Sequence, residues 1–304
     1  MQGSEDLGGG TKALFRFERG FTVTAGSQLN DHPSYASLQS ERLGTLTLSH
    51  QYDLIHDYAA QFTLTGDTGG TAFAHPFDND NANNTYLATN AVKYVSARYG
   101  GFSFGSLYAL SNGTGRFAQN RAYGIATNYA HGGAFNAGVA WMHHNGCGLA
   151  AGGAYDPASL PGEDGTPAPL SAQRQDIVAA GTSYAIGKVT LGAAWSRAIY
   201  TGVSNTNSGT ALPSVAFSNY EVNAVWQATA ALALAGMYTY MHANTVHWQQ
   251  GAAQAVYQLS KRTDVYAETL LQRASTGALA VINSANSSSG RSQLLVATGI
   301  RHRF

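Results

Sequence analysis

The sequence predicts an all-β chain, an antiparallel transmembrane β-barrel that crosses its membrane with strands. Three observations carry this expectation. Segments of about ten residues alternate apolar and polar side chains, and their connections alternate between tight and long. Charge is also scarce in a chain that is not otherwise greasy: 11% of the 304 residues are charged and 44% are hydrophobic, against roughly 25% charged in a soluble domain. The formal net charge is zero, which removes the electrostatic case for nucleic acid. Cys147 is the single cysteine, so no intramolecular disulfide forms.

The alternation is clear along the chain. "TKALFRFERGFTV" places Ala13, Phe15 and Phe17 on one face and Lys12, Arg16 and Glu18 on the other. "FSFGSLYAL" sets Phe102, Phe104 and Tyr108 against Ser103 and Gly105, and "RAYGIATNYAH" sets Tyr123, Ile125 and Tyr129 against Gly124 and Asn128. "KVTLGAAWSR" sets Val189, Leu191 and Trp195 against Lys188, Thr190 and Ser196. "NYEVNAVWQ" sets Tyr220, Val222 and Trp226 against Glu221, Asn223 and Gln227.

Short turns are expected at "LGGGT", "ERLGT", "YGGF", "HGGA", "AIGK", "QATAA" and "SKRT", with long polar loops near 53–90, 111–120, 145–172, 200–216, 243–247 and 276–290. Long loops kept to one end are the mark of a membrane barrel, because hydrocarbon demands that every backbone N–H and C=O be paired. The count is about fourteen strands, enough to enclose an aqueous channel. A spanning helix is the competing reading of "AVWQATAALALAGMYTYM". Gln227, Thr229 and Gly236 interrupt it, and Leu232, Leu234, Tyr238 and Tyr240 share one parity, which suits a strand. No basic segment followed by an apolar core is visible in "MQGSEDLGGG".

The last strand, "RSQLLVATGIRHRF", carries a family resemblance. Leu294, Val296, Ile300 and Phe304 share a parity. This terminal pattern, together with "GSEDLGGGTKALF", "GTLTLSHQYD", "FAHPFDNDNANNTYLATNAVKYVS" and "FGSLYALSNGTGRFAQNRAYGIATNYAHG", resembles the general diffusion porins of Gram-negative outer membranes, the beta-proteobacterial branch in particular. The resemblance covers essentially the whole chain and implies one 16-stranded porin-type domain over 1–304. It implies a homotrimer embedded in outer-membrane lipid, with no reaction and no cofactor. It makes Phe304 the assembly signal read by the barrel-assembly machinery. It also places a signal peptide, a first strand and most of a second ahead of "GSEDLGGG", so the chain reads as truncated at its N-terminus, with two unpaired edges.

The resemblance further implies that the loop near 53–90 folds into the lumen and narrows it. Its acidic residues Asp53, Asp57, Asp67, Asp78 and Asp80 would face a basic wall of Lys12, Arg16, Arg42, Arg301 and Arg303, giving a transverse field that orients polar solutes. His50 stands in the segment where the family often carries arginine, which predicts a less basic wall.

Other clusters carry less. "DNDNANN" at 78–84 lacks the glycine and glutamate of a calcium loop at Asn83 and Thr89. His143 and His144 are strand neighbours on opposite faces and cannot chelate one ion, and Cys147 has no partner nearby. No G-x-S-x-G elbow and no Walker loop occur. Trp141, Trp195, Trp226, Trp248, Tyr238 and Tyr240 read as interfacial girdle residues. The expected function is passive diffusion of small hydrophilic solutes and ions. A substrate-selective channel on the same barrel is the alternative, followed by an outer-membrane enzyme and a soluble all-β binding protein.

Overall fold

The computed structural model describes all residues except 22–27, 30–31, 112–116, 118–120, 147–169, 206–208, 286–287 and 304. The chain opens with β1 (Gln2–Gly8), β2 (Thr11–Phe17), the short β3 (Gly20–Phe21) and β4 (Gln28–Leu29), β5 (Ser34–Ser40) and β6 (Gly44–Tyr52). A helix α1 (Leu54–Tyr58) and four helical turns follow, ending at Pro76–Asp78. Next come β7 (Leu87–Ser96), β8 (Phe102–Ala109), β9 (Ala122–His131), β10 (Phe135–Asn145) and the short β11 (Leu170–Ser171). β12 (Arg174–Ile186) and β13 (Val189–Thr201) precede the short β14 (Val203–Asn205) and β15 (Ala211–Leu212). The chain closes with β16 (Val215–Gln227), β17 (Leu232–Ala243), β18 (Val246–Gln258), β19 (Thr263–Ala274) and β20 (Ser292–His302).

Fifteen of these strands form one sheet in chain order, β1-β2-β5-β6-β7-β8-β9-β10-β12-β13-β16-β17-β18-β19-β20. Each pairs antiparallel with the next, as from Leu191↔Ala224 on β13 and β16 to Val265↔Ile300 on β19 and β20. Among the described residues no ladder joins β1 to β20. The short β3 and β4 pair in one long connection, and β11, β14 and β15 form a small sheet from two others. No described helix is long and apolar enough to cross a membrane; the segment weighed as a spanning helix forms the end of β16 and most of β17.

The two faces of the sheet are inverted relative to a soluble protein. One carries exposed Leu48, Phe104, Ile125, Tyr184, Leu191, Val222 and Val296. The other buries Ser37, Thr47, Gln175, Ser196, Asn219, Glu221 and Gln272. Paired residues share a face, so the register Gln175↔Tyr200 and Ser196↔Asn219↔Met241↔Trp248 traces the inner rows. Apolar outward and polar inward is the arrangement that lipid selects.

All seven short turns lie where the sequence places them, with Gly132 and Gly133 at φ of 60° and 73° in one of them. Four expectations are corrected. The stretch "QGSEDLG" is a strand, raising the count from about fourteen to fifteen; it is polar at both parities and shows no alternation. Residues 243–247 are a tight turn, with Asn244 at φ 47°, because Asn tolerates the left-handed conformation. The span between Glu18 and Pro33 is a long connection that the turn signals do not mark. Trp248 is not a girdle residue: it faces inward, fully buried, and its indole donates to Leu279 O at 2.9 Å.

Candidate pore constriction

The connection between β6 and β7 covers the inner face of the sheet. It starts at Asp53, whose side chain caps α1 by accepting from His56 N at 2.9 Å. Two inward glycines let α1 and the next turn approach the wall. A Cβ at Gly138 would stand 2.3 Å from Tyr58 O, and one at Gly181 would stand 2.6 Å from the Phe62 side chain. Further along, the wall holds the segment by hydrogen bonds across more than a hundred residues of sequence. Leu64 N donates to Glu221 Oε1 at 2.7 Å, and Asn223 Nδ2 donates to Phe62 O at 2.8 Å. Tyr200 OH donates to Asn79 O at 2.8 Å, and Asn219 Nδ2 donates to Asn79 Oδ1 at 2.8 Å.

At the centre sits a buried ionic clamp. His75 places Nδ1 2.7 Å from Asp80 Oδ2 and Nε2 3.2 Å from Glu221 Oε2, with all three side chains at most 1% exposed. Ser196 Oγ also donates to Asp80. Burial alone would lower the His75 pKa, but the two carboxylates overcome it and push it up to about 10. Burial tends to raise Asp80, yet His75 and Ser196 hold it below the usual carboxylate range. Asp78 is pushed up to about 7 by burial and by the Asp80 charge. Asp53 is pushed up to about 6, again by burial.

The five acidic loop residues therefore divide. Asp53, Asp78 and Asp80 are buried and fasten the segment. Asp78 accepts from Asn83 N at 3.0 Å and from Thr85. Asp57 is half-buried and pairs with Lys93 Nζ at 2.5 Å, which also donates to Tyr52 O at 2.9 Å. Asp67 is exposed on the turn Thr65–Gly69. Its partial enclosure raises its pKa. A cavity of about 760 Å³ lies between Gly69–Ala72 on the segment and Gln254, Glu268 and Arg301 on the wall.

The basic residues are distributed differently from the sequence expectation. Arg16 is half-exposed and pairs with Glu18 at 2.5 Å. Lys12 lies near the short-turn end of β2, beside Gln39 and Glu41. Arg42 sits in the turn between β5 and β6 and belongs to no strand of the wall. Arg301 and Arg303 converge on the buried Asp264, at 3.1 and 3.0 Å. His50 shares the parity of the exposed Leu46 and Leu48 and bonds Thr89 Oγ1 at 3.0 Å, so it belongs to the outer row and does not modify the wall. His143, which bonds Asp176, and His144, buried against Tyr86, sit on opposite faces. Cys147 and Phe304 lie outside the described residues.

Sequence reasoning missed Lys93, His75, Glu221 and Asp264 as members of the site. Lys93 and Glu221 had a signal: each is a charged residue at the inward parity of its strand, flanked by the exposed Val92 and Tyr94 and by Tyr220 and Val222. His75 had none: Asp80 shares its loop, but Glu221 comes from β16, far away in the chain.

Comparison with known proteins agrees with this geometry. The family model described as Gram-negative porin matches residues 1–277. An outer membrane porin protein of Bordetella pertussis is 33% identical over 133 residues, 42% of this chain and 34% of that protein; the match thus spans about a third of the curated relative's length. Among solved structures, the anion-selective porin from Comamonas acidovorans superposes with a TM-score of 0.78 at 20% identity, covering 100% of this chain and 88% of that one. Salmonella typhi OmpF, in complex with daunomycin, gives a TM-score of 0.66 at 17% identity, with 99% and 88% covered. The chain belongs to the Gram-negative porin family.

Proposed function

We propose that this chain forms a water-filled channel of the outer membrane, through which small hydrophilic solutes and ions diffuse passively, and that residues 53–86 narrow it. The observation that supports this best is the fastening of one long connection onto the polar face of a sheet whose opposite face is apolar and exposed. Such a segment leaves a restricted aqueous space with a polar lining, and no chemical step is required of it. Its free surface presents Gln61, Gly66 and Asp67. Four wall cations, Arg16, Lys93, Arg301 and Arg303, are each paired with a carboxylate, while Lys12 and Arg98, toward the short-turn end, have no ion pair among the described residues. Opposed charges cancelled in pairs favour a weak ion preference over a strong one.

The protomers assemble as a trimer, and the apolar outer row Leu294, Val296 and Ile300 of β20, 66–70% exposed, is the surface offered to assembly machinery and lipid. Liposome swelling with sugars of graded size tests the channel. Protein purified from outer membranes should admit small sugars at rates that fall smoothly with size and do not saturate. A rate that saturates for one sugar alone would favour the substrate-selective alternative, and impermeable liposomes would defeat the channel reading.

A further inference from the structure

We propose that the cavity of about 760 Å³ between the inward segment and the wall is a binding subsite for a solute that carries a primary ammonium on a compact apolar body. Two neighbouring rungs of the β18–β20 ladder build it. Val256 pairs with Tyr266 and Tyr266 with Gly299; two residues along, Gln254 pairs with Glu268 and Glu268 with Ala297. Residues two apart on a strand share a face, and these face inward, on the parity of the buried Asp264 and Gln272. Residues 69–72 of the segment close the cavity from the other side.

The carboxylate in this cavity is oriented but not neutralised. Gln254, 6% exposed, donates its Nε2 to Glu268 Oε2 at 3.0 Å. Among the described residues Glu268 has no ion-pair partner. The cation that also lines the cavity, Arg301, is held by Asp264, through Nη2 at 3.1 Å and Nε at 3.2 Å, and Arg303 shares that carboxylate. His302 bonds Thr263 Oγ1 at 2.8 Å. The Oε1 atom of Gln254 is meanwhile buried with no partner. The wall thus presents a carboxylate and a second acceptor with no cation to serve them. An ammonium brings three donors and the complementary charge.

The rest of the lining fits the apolar body. The Tyr266 ring lies across Gly299, where a Cβ would stand 2.4 Å from its Cζ, so a residue without a side chain makes room for the aromatic. The ring and the carboxylate occupy successive inward positions, about 7 Å apart along the strand, a spacing at which one ammonium can meet both. Val256, Leu295, Ala297 and Ala72 supply apolar surface beside them, which a small inorganic cation would leave uncovered. The volume lies within the range of small-molecule pockets. Asp67, exposed on the adjoining turn Thr65–Gly69, adds a second anion on the segment itself.

The proposal rests on the channel reading for access from solution, and the two fail separately. Potassium chloride conductance reports the channel, whereas titration calorimetry of the detergent-solubilised protein reports the site whether or not current flows. Benzylammonium is the probe and benzyl alcohol its uncharged counterpart. The native protein should bind benzylammonium, and its conductance should show a block that saturates over the same concentrations, while the alcohol does neither. Glu268→Gln keeps the side-chain size and the acceptor for Gln254, and should weaken binding at least about tenfold, because a hydrogen bond to a charged group contributes that much. Tyr266→Leu should weaken it about threefold through the lost cation–π contact. Glu41→Gln, in the turn between β5 and β6, should match the native protein. Heat-modifiable migration checks that each variant is folded. Undiminished binding by Glu268→Gln, or by Tyr266→Leu should the first variant not fold, would overturn the proposal. Equal binding of benzyl alcohol, or no binding of benzylammonium by the folded native protein, would overturn it too.

Discussion

At the residue scale, His75 sits between Asp80 and Glu221 in a dry pocket, and its imidazolium neutralises one of two buried anions. Removing one member of a buried ionic group strands the others, at a cost of about 3–5 kcal/mol. The His75→Gln protein should therefore lose heat-modifiable folded form at a lower temperature than the native protein, and Glu221→Gln should do so as well. The pH dependence follows from the direction of each shift. The His75 pKa is raised from 6.5 to about 10 on folding, so its contribution is complete below about pH 6.5, declines as pH rises and is gone above about pH 10. Asp57 and Asp80 are held low, so their contributions exist above about pH 4 and vanish on acidification. Asp53 and Asp78, raised to about 6 and about 7, favour the folded state when protonated and lose that advantage as pH climbs from about 4 to 7. Melting the native protein between about pH 7 and 10 should show a decline that is absent in His75→Gln. An identical slope in both would remove the clamp from the account. Burial separates two further aspartates: Asp53→Ala should cost about 1 kcal/mol as a lost cap, whereas Asp67→Asn should leave stability unchanged and reduce cation permeability.

At the element scale, α1 is five residues long, too short to persist alone in water. It survives because Asp53 caps it and because the wall recedes beneath it and its successor, Gly138 under Tyr58 and Gly181 under Phe62 of the following turn. A valine at Gly181 would meet the Phe62 ring with no space to retreat. The Gly181→Val protein should keep its strand ladder and heat-modifiable migration while its conductance becomes larger or noisier, as the segment is pushed away from the wall. Quiet native conductance from that variant would mean that the recess in the wall is not what seats the segment. The strands follow the opposite logic. Their existence and most of their turns were legible because period-two alternation and glycine turns are local signals, as in "KVTLGAAWSR" and "HGGA". β1 escaped notice for lack of alternation, and the turn at Asn244 because its polar residues read as a long loop.

At the scale of the whole molecule, the cancellation of wall cations by neighbouring carboxylates sets the expected ion preference. Bilayers holding the protein under a potassium chloride gradient should show a reversal potential near zero. Lys93→Met removes one cation and frees Asp57, so the potential should move toward cation preference. A strongly anion-preferring native channel would place unpaired cations at the narrowest point, contrary to the pairing of Arg16, Lys93, Arg301 and Arg303 with carboxylates.

The sequence by itself determined the class of fold, the strand rhythm, which end carries the long loops, and the family. Those properties follow from side-chain parity and turn chemistry, which act between residues close in the chain. Only the tertiary structure decided which aspartates face water and which are buried, that Trp248 points inward, and that Glu221 and His75 meet. Those facts depend on where a loop lands on strands more than a hundred residues away. Contacts of that kind are set by the register and curvature of the whole sheet, and no local pattern records them.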